Sequence, residues 1–399
     1  MSFSIRKVAL YALGAILGLL LLVLAAWAVV AGPSTVARII RYGDTQINDF
    51  EYFPYRSMPP SSQPDIFEPA AGSEQTVFQV ALGEGGPAPL EEALVANDSI
   101  AFLVLQDGNL VYDRYFQDHT QASLSQTFSM AKSWTSTLIG IAIDDGLIQS
   151  DEQPVTDFIP ELAERGFTDV RIRHLLTMTS GSDYFENDNP FGIHVILNYT
   201  PRLEQRILSF GMERPPGVHF RYKSGDNALL ALALDRALGE RTITDYTREA
   251  LWEPLGMQYE GRWSLDHAGD GLEKTWCCLA ATARDLIKLG QLYLQSGEWQ
   301  GEQIVSSEWV AASTQRSAVP ADDWDLELRE TGLANYGYQW WILDGDEGEY
   351  LALGKDGQYL YVNPAREIAI LRLGWSTGEL FTGGWIEVFR SVAEQVSPR

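Results

Sequence analysis

Cysteine is almost missing from these 399 residues: there are two, Cys277 and Cys278, and they are neighbours. Adjacent Cα atoms sit ~3.8 Å apart, whereas a disulfide spans ~4.4–6.8 Å, so the pair is expected unbridged, as two small buried side chains. No second pair exists to build a zinc site or a disulfide framework. Histidine is also sparse. His119, His174, His194, His219 and His267 show no metal-ligand spacing, so neither a metal nor an organic cofactor is expected. His174 precedes the apolar pair Leu175-Leu176 and reads as structural. Basic residues number 29 against 54 acids, a net charge of −25. Such a field repels phosphate backbones and excludes nucleic acid as a partner. Several catalytic signatures are absent too: His-Glu-x-x-His, the phosphate loop and the dinucleotide fingerprint.

What is present is apolar bulk. Hydrophobic residues make up 45% of the chain and aromatics 11%, enough for a large core and too much for a disordered chain. Arg6 and Lys7 precede a run over residues 8–31 without a charged residue. About 24 residues at ~1.5 Å each span ~36 Å of helix, sufficient to cross a bilayer core. Ala26-Trp27-Ala28 fits a signal-peptide cleavage site, but the run exceeds the ~7–15 residues of a usual signal core. The length favours an uncleaved anchor. Arg6 and Lys7 before the run favour an inside N-terminus, against Arg38 and Arg41 after it, and with that orientation either reading exports everything after about Gly32.

Three regions follow: an anchor over 1–32, a tether and surface wrap over 33–89, and a main domain over 90–399. The wrap carries Pro54, Pro59, Pro60, Pro64 and Pro69, which exclude a long helix. The main domain opens with a hairpin pattern over 100–115 around Asp107-Gly108-Asn109. Trp134, Leu138 and Ile141 then recur at helical spacing, with Gly146 at the stop. Residues 151–297 are mostly helical in pattern. Strand patterns return over 338–343, 350–353, 358–362 and 368–373, and 385–396 reads as a closing helix. Strands early and late with helices between predict one α+β sheet domain carrying a helical insertion.

The chemistry-bearing candidate is Ser129-Met130-Ala131-Lys132. Ser and Lys three apart on a helix share a face, with Cβ atoms ~5–6 Å apart. A lysine kept neutral by burial can take the proton that makes a serine hydroxyl nucleophilic. The pattern alone is weak. Ser4-Ile5-Arg6-Lys7 repeats it inside the apolar leader, and an ordinary polar helix start has the same spacing.

Context adds specificity. Residues 128–147 read FSMAKSWTSTLIGIAIDDGL, followed by RIRHLLTMTSGSDY (171–184), FRYKSGDN (220–227), LAATARDL (279–286), YGYQWW (336–341) and LGKDGQYLYVNP (353–364). In this order the motifs resemble the serine β-lactamase-related family, which includes class C β-lactamases, D-Ala-D-Ala carboxypeptidases, esterases and 6-aminohexanoate-dimer hydrolase. The resemblance covers about residues 99–395. It implies a β-lactamase/transpeptidase-like fold, an antiparallel sheet flanked by helices, with Ser129 as acyl-forming nucleophile, Lys132 as its base and Tyr222 as the tyrosine that relays protons. Lys355-Asp356-Gly357 resembles the strand beside the family's site. There Lys355 would hold Tyr222 as phenolate and attract an anionic group, and Gly357 would let substrate pack close. The backbone N–H groups of Ser129 and Gln358 would form the oxyanion hole. Asp183 and Tyr184 are candidate pocket residues.

Two positions depart from the family. Ser224 stands where an Asn is frequent. Asp356 stands where penicillin-recognising members carry a hydroxyl, and a carboxylate there disfavours an anionic β-lactam unless strand alternation turns the side chain away. The expectation is an exported, membrane-anchored serine hydrolase acting on a small ester or amide, nearest the 6-aminohexanoate-dimer hydrolase and esterase branch. The alternatives are a D,D-carboxypeptidase or β-lactamase, and a non-catalytic binding or sensor domain of the same fold.

Overall fold

The computed structural model describes residues 5–81, 86–186, 189, 191–319 and 332–396. A 27-residue helix, Ile5–Ala31, leaves Leu10, Leu17, Leu20 and Leu22 exposed. Its Ala9–Ala31 stretch is long and apolar enough to cross a membrane and is only 6% buried. Gly32 interrupts it, and a second helix, Pro33–Tyr42, begins with proline at its first turn.

Seven antiparallel strands form the main sheet, in the order Leu333–Tyr336, Trp341–Leu343, Tyr350–Gly354, Gln358–Asn363, Ile368–Gly374, Ser99–Gln106, Asn109–Tyr115. The expected hairpin and late strands therefore meet in one sheet. Every residue of Ser99–Gln106 and Ile368–Gly374 is buried, because helices cover both faces. Side-chain alternation sorts the two cores. Leu103, Leu105, Ala369 and Leu371 join Trp134, Leu138 and Leu289 on one side. Phe102, Val104, Ile368 and Ile370 meet Trp385, Phe389 and Val392 of the closing helix Phe381–Gln395 on the other. Truncating a core leucine such as Leu138 to alanine removes about 2–5 kcal/mol of stability.

A four-stranded sheet sits beside the first, ordered Tyr55–Met58, Gly261–Ser264, Leu279–Thr282, Leu124–Gln126. It fixes the entry to the Ser129 region: Thr127 donates both its N–H (2.9 Å) and its Oγ (2.8 Å) to the Leu279 carbonyl. The helical insertion packs Ser224–Leu238 against Ala131–Asp144. Gln339 fastens these pieces together. Its carbonyl takes Ser133 Oγ (2.7 Å), its Oε1 takes Asn227 Nδ2 (3.1 Å), and its Nε2 reaches the Leu176 carbonyl (2.9 Å).

Candidate active site

Ser129 lies in a short 3-10 turn, Phe128–Met130, that runs into the helix Ala131–Asp144. Phe128 is buried and held at φ 47°, a left-handed conformation that costs energy in a bulky residue. The turn is wedged against the main sheet at Gly354. A Cβ there would stand 2.3 Å from the Thr127 carbonyl oxygen, so only glycine permits the approach. Gly354 pairs with Gln358 in the sheet, which brings the start of that strand beside the turn.

Lys132 is one helical turn on, buried, with Nζ donating to Ser129 Oγ (2.9 Å), Ser224 Oγ (3.1 Å) and the Trp276 carbonyl (2.9 Å). Burial pushes its amine down to about 8, against an opposing pull from the Glu186 carboxylate. Glu186 in turn accepts from the Ser224 hydroxyl (3.1 Å) and from the Ser224 N–H. Tyr222 stacks on Trp341, with ring centroids 5.6 Å apart, and Lys132 Nζ lies 4.9 Å from its ring centroid. Its phenol hydrogen-bonds Ser129. Thus the structure gathers Ser129, Lys132, Tyr222 and Ser224 at one point.

The expected phenolate is not what the environment favours. Burial, reinforced by the Glu186 charge, pushes the Tyr222 phenol well above its usual range, and the Ser129 contact opposes this. The surroundings favour the neutral phenol. Lys355 does not face it: its Nζ binds Asp44 Oδ2 (2.9 Å), the Thr45 carbonyl (3.0 Å) and Thr45 Oγ1 (3.2 Å).

Nor do Lys355, Asp356 and Gly357 form a strand. They make the tight turn between Tyr350–Gly354 and Gln358–Asn363, with Asp356 at φ 59°. Asp356 is not among the residues that line the cavity, whereas Lys355 is on its wall. Gly357, at φ 78°, leaves room for Arg372 and not for substrate: a Cβ would fall 2.1 Å from Arg372 Nη1. That buried guanidinium braces the turn through the Gly357 (2.7 Å) and Asp356 (3.1 Å) carbonyls. Gln358 uses its side chain the same way, donating to the Gly374 carbonyl (2.7 Å).

Ser129 opens into a cavity of about 530 Å³. Asp183 and Tyr184 are not on its wall. Asp183 accepts the Gly211 N–H (2.9 Å), and buried Tyr184 bonds His194 Nδ1 (2.8 Å). The next two residues, Phe185 and Glu186, line the cavity instead, together with Trp276 and Lys274. Residues of the expected surface wrap line it as well: Thr45, Asp49 and Phe53.

The cysteines correct a further expectation. Cys277 and Cys278 are joined by a disulfide although their Cα atoms lie 3.7 Å apart. The chain is tightly turned here, with the Cys277 and Cys278 N–H groups both directed at the Lys274 carbonyl (3.4 and 3.1 Å), which sets the two side chains together. Both line the cavity. Among the described residues no cluster of three His, Cys, Asp or Glu side chains is placed to hold a metal ion.

A buried lysine on a serine hydroxyl, beside a tyrosine, in a helix-covered antiparallel sheet matches the Ser-x-x-Lys arrangement of the family that the sequence resembles. The family model "Beta-lactamase" matches residues 88–379, and this chain belongs to that family. It is 27% identical over 320 residues to the 6-aminohexanoate-dimer hydrolase of Paenarthrobacter ureafaciens, covering 77% of this chain and 80% of the relative. It is 24% identical over 311 residues to penicillin-binding protein 4 of Amycolatopsis lactamdurans, covering 70% and 78%. A solved Bacillus anthracis structure, assigned as a 6-aminohexanoate-dimer hydrolase, superposes with a TM-score of 0.71 at 22% identity, covering 88% of this chain and 93% of that one. The expected fold class is the one observed.

Proposed function

We propose that this protein hydrolyses a small ester or amide through an acyl-enzyme on Ser129. The observation that carries the reading is the 2.9 Å contact between Ser129 Oγ and a buried Lys132 amine brought down to about 8. A neutral Lys132 accepts the hydroxyl proton as Oγ attacks the carbonyl carbon. The oxyanion is held by the backbone N–H groups of Ser129 and Gln358. As the carbonyl–leaving-group bond breaks, Tyr222 gives its phenolic proton to the departing oxygen or nitrogen and recovers one from Lys132. Water then attacks the acyl-enzyme by the same route reversed, Lys132 and Tyr222 drawing off its proton. Ser224 and Glu186 keep the lysine in position.

The similarity to 6-aminohexanoate-dimer hydrolase favours linear amides and esters over β-lactams. The engagement of Lys355 by Asp44 and Thr45 supports that choice, because it removes the cation expected to receive a β-lactam carboxylate. The apolar helix Ile5–Ala31 would anchor the protein, with the hydrolase domain outside the cytoplasm. Protease added to spheroplasts should then remove the domain and leave a membrane stub. For the activity, wild type and Ser129→Ala should be compared on short-chain esters, linear amides, a D-Ala-D-Ala peptide and a chromogenic cephalosporin. Turnover of esters or linear amides that Ser129→Ala lacks supports the reading. Preference for the peptide or the cephalosporin replaces it with the cell-wall alternative, and complete inactivity leaves the binding-domain alternative.

A further inference from the structure

The cavity wall contains two buried polar groups that the proposed reaction does not use, one from the N-terminal wrap and one from the main domain. Asp49 opens the short turn Asp49–Glu51, is 3% exposed and lines the cavity. Its Oδ2 is buried without a hydrogen bond. Lys274 is 1% exposed and lines the same cavity. Its Nζ sits 3.7 Å from the Phe53 ring centroid and makes a hydrogen bond to the Asn198 carbonyl (2.6 Å). An amine of this kind has further hydrogen-bonding capacity. Asp49 and Lys274 influence each other's charge, yet no hydrogen bond joins them. Burying such groups unmet is costly, and the cost is recovered when a ligand meets them.

The ligand must present one acceptor and one donor. A carboxylate would satisfy Lys274 but face Asp49; an ammonium would satisfy Asp49 but face Lys274. An amide meets both without adding charge. We propose that Asp49 and Lys274 form a subsite for a second, non-scissile amide of the substrate, its C=O accepting from Lys274 Nζ and its N–H donating to the Asp49 carboxylate. Burial raises Asp49 to about 6 and lowers Lys274 to about 7. The subsite is close to the chemistry. Lys274 is two residues before Trp276, whose carbonyl holds Lys132, and two residues of chain span at most about 7 Å. The inference rests on the proposed acylation of Ser129 and names the substrate class as linear chains with more than one amide.

The test uses p-nitrophenyl esters of N-acetyl ω-amino acids with two to six carbons, each beside the straight-chain ester of equal length. Half-esters of dicarboxylic acids and ω-amino acid esters supply the charged alternatives. The readout is the ratio of kcat/KM, amide over straight chain, within one protein. In wild type the ratio should reach about tenfold at one chain length, the worth of one hydrogen bond to a charged group. Asp49→Ala and Lys274→Met should each bring it near one. Because the ratio is internal, a variant damaged as a whole lowers both substrates and leaves it standing, which counts against the subsite. A wild-type ratio near one at every length overturns the proposal without any variant. So does a preference for the carboxylate or the ammonium ester. If none of the esters acylates Ser129, the hydrolase reading itself falls and the subsite falls with it.

Discussion

Two walls flank Ser129, and each offers a lysine. On the helix wall Lys132 is 1% exposed, held by three partners and depressed to about 8. On the hairpin wall the Lys355 side chain is 40% exposed and its partner Asp44 is 79% exposed. The same functional group thus faces opposite physics. Removed from water, an amine loses its proton readily and becomes a base. In water it stays a cation whose ion pair is worth ~0–1 kcal/mol. The first lysine is suited to proton transfer, the second to fastening the wrap over the cavity.

The largest expected effect is on the helix wall. Lys132→Met should lower kcat/KM by about 10³-fold or more, measured on the best ester or amide, because it removes one member of a catalytic unit. The pH profile sharpens this. Only the neutral amine accepts a proton, so wild-type kcat/KM should rise as pH climbs through about 8 and level off above it. A limb above pH 10 would mean a solvated lysine. Tyr222→Phe should cost about 10²-fold, and more for amides than for esters, since an amine leaves only when protonated. Across the cavity, Lys355→Ala should change kcat by no more than about threefold, in keeping with an exposed pair. Any larger change should appear in KM as the wrap loosens. Smallest of all, Asp356→Thr should leave the preference between neutral and carboxylate-bearing substrates unmoved, because its carboxylate lies off the cavity wall. A shift in that ratio would return Asp356 to the pocket and erase the contrast.

The sequence made the helix wall legible because its information is local. Ser129 and Lys132 are three apart on a helix, and Tyr222 and Ser224 lie in one short motif. The sheet was legible for a similar reason: the apolar runs over 100–105, 358–362 and 368–373 need two covered faces. The hairpin wall was misread. The family resemblance put Lys355-Asp356-Gly357 on a strand, although the strand patterns stop at 353 and resume at 358, and the partner that requires Gly357, Arg372, lies fifteen residues away. Asp183 and Tyr184 missed the cavity by two positions, enough in a loop to exchange a buried tyrosine for Glu186. The far wall was invisible. Asp49 and Lys274 are 225 residues apart, and only the folded wrap brings them to one cavity. The bridge between Cys277 and Cys278 depends on a local turn that their spacing alone argued against.

The central claim is that Ser129 is the nucleophile, and covalent labelling tests it most directly. Wild-type protein treated with a fluorophosphonate should gain the mass of one adduct, with peptide mapping placing it on Ser129. Ser129→Ala should gain none, while Ser4→Ala should label as wild type does. An unlabelled wild type, or an adduct that persists in folded Ser129→Ala, would contradict the account.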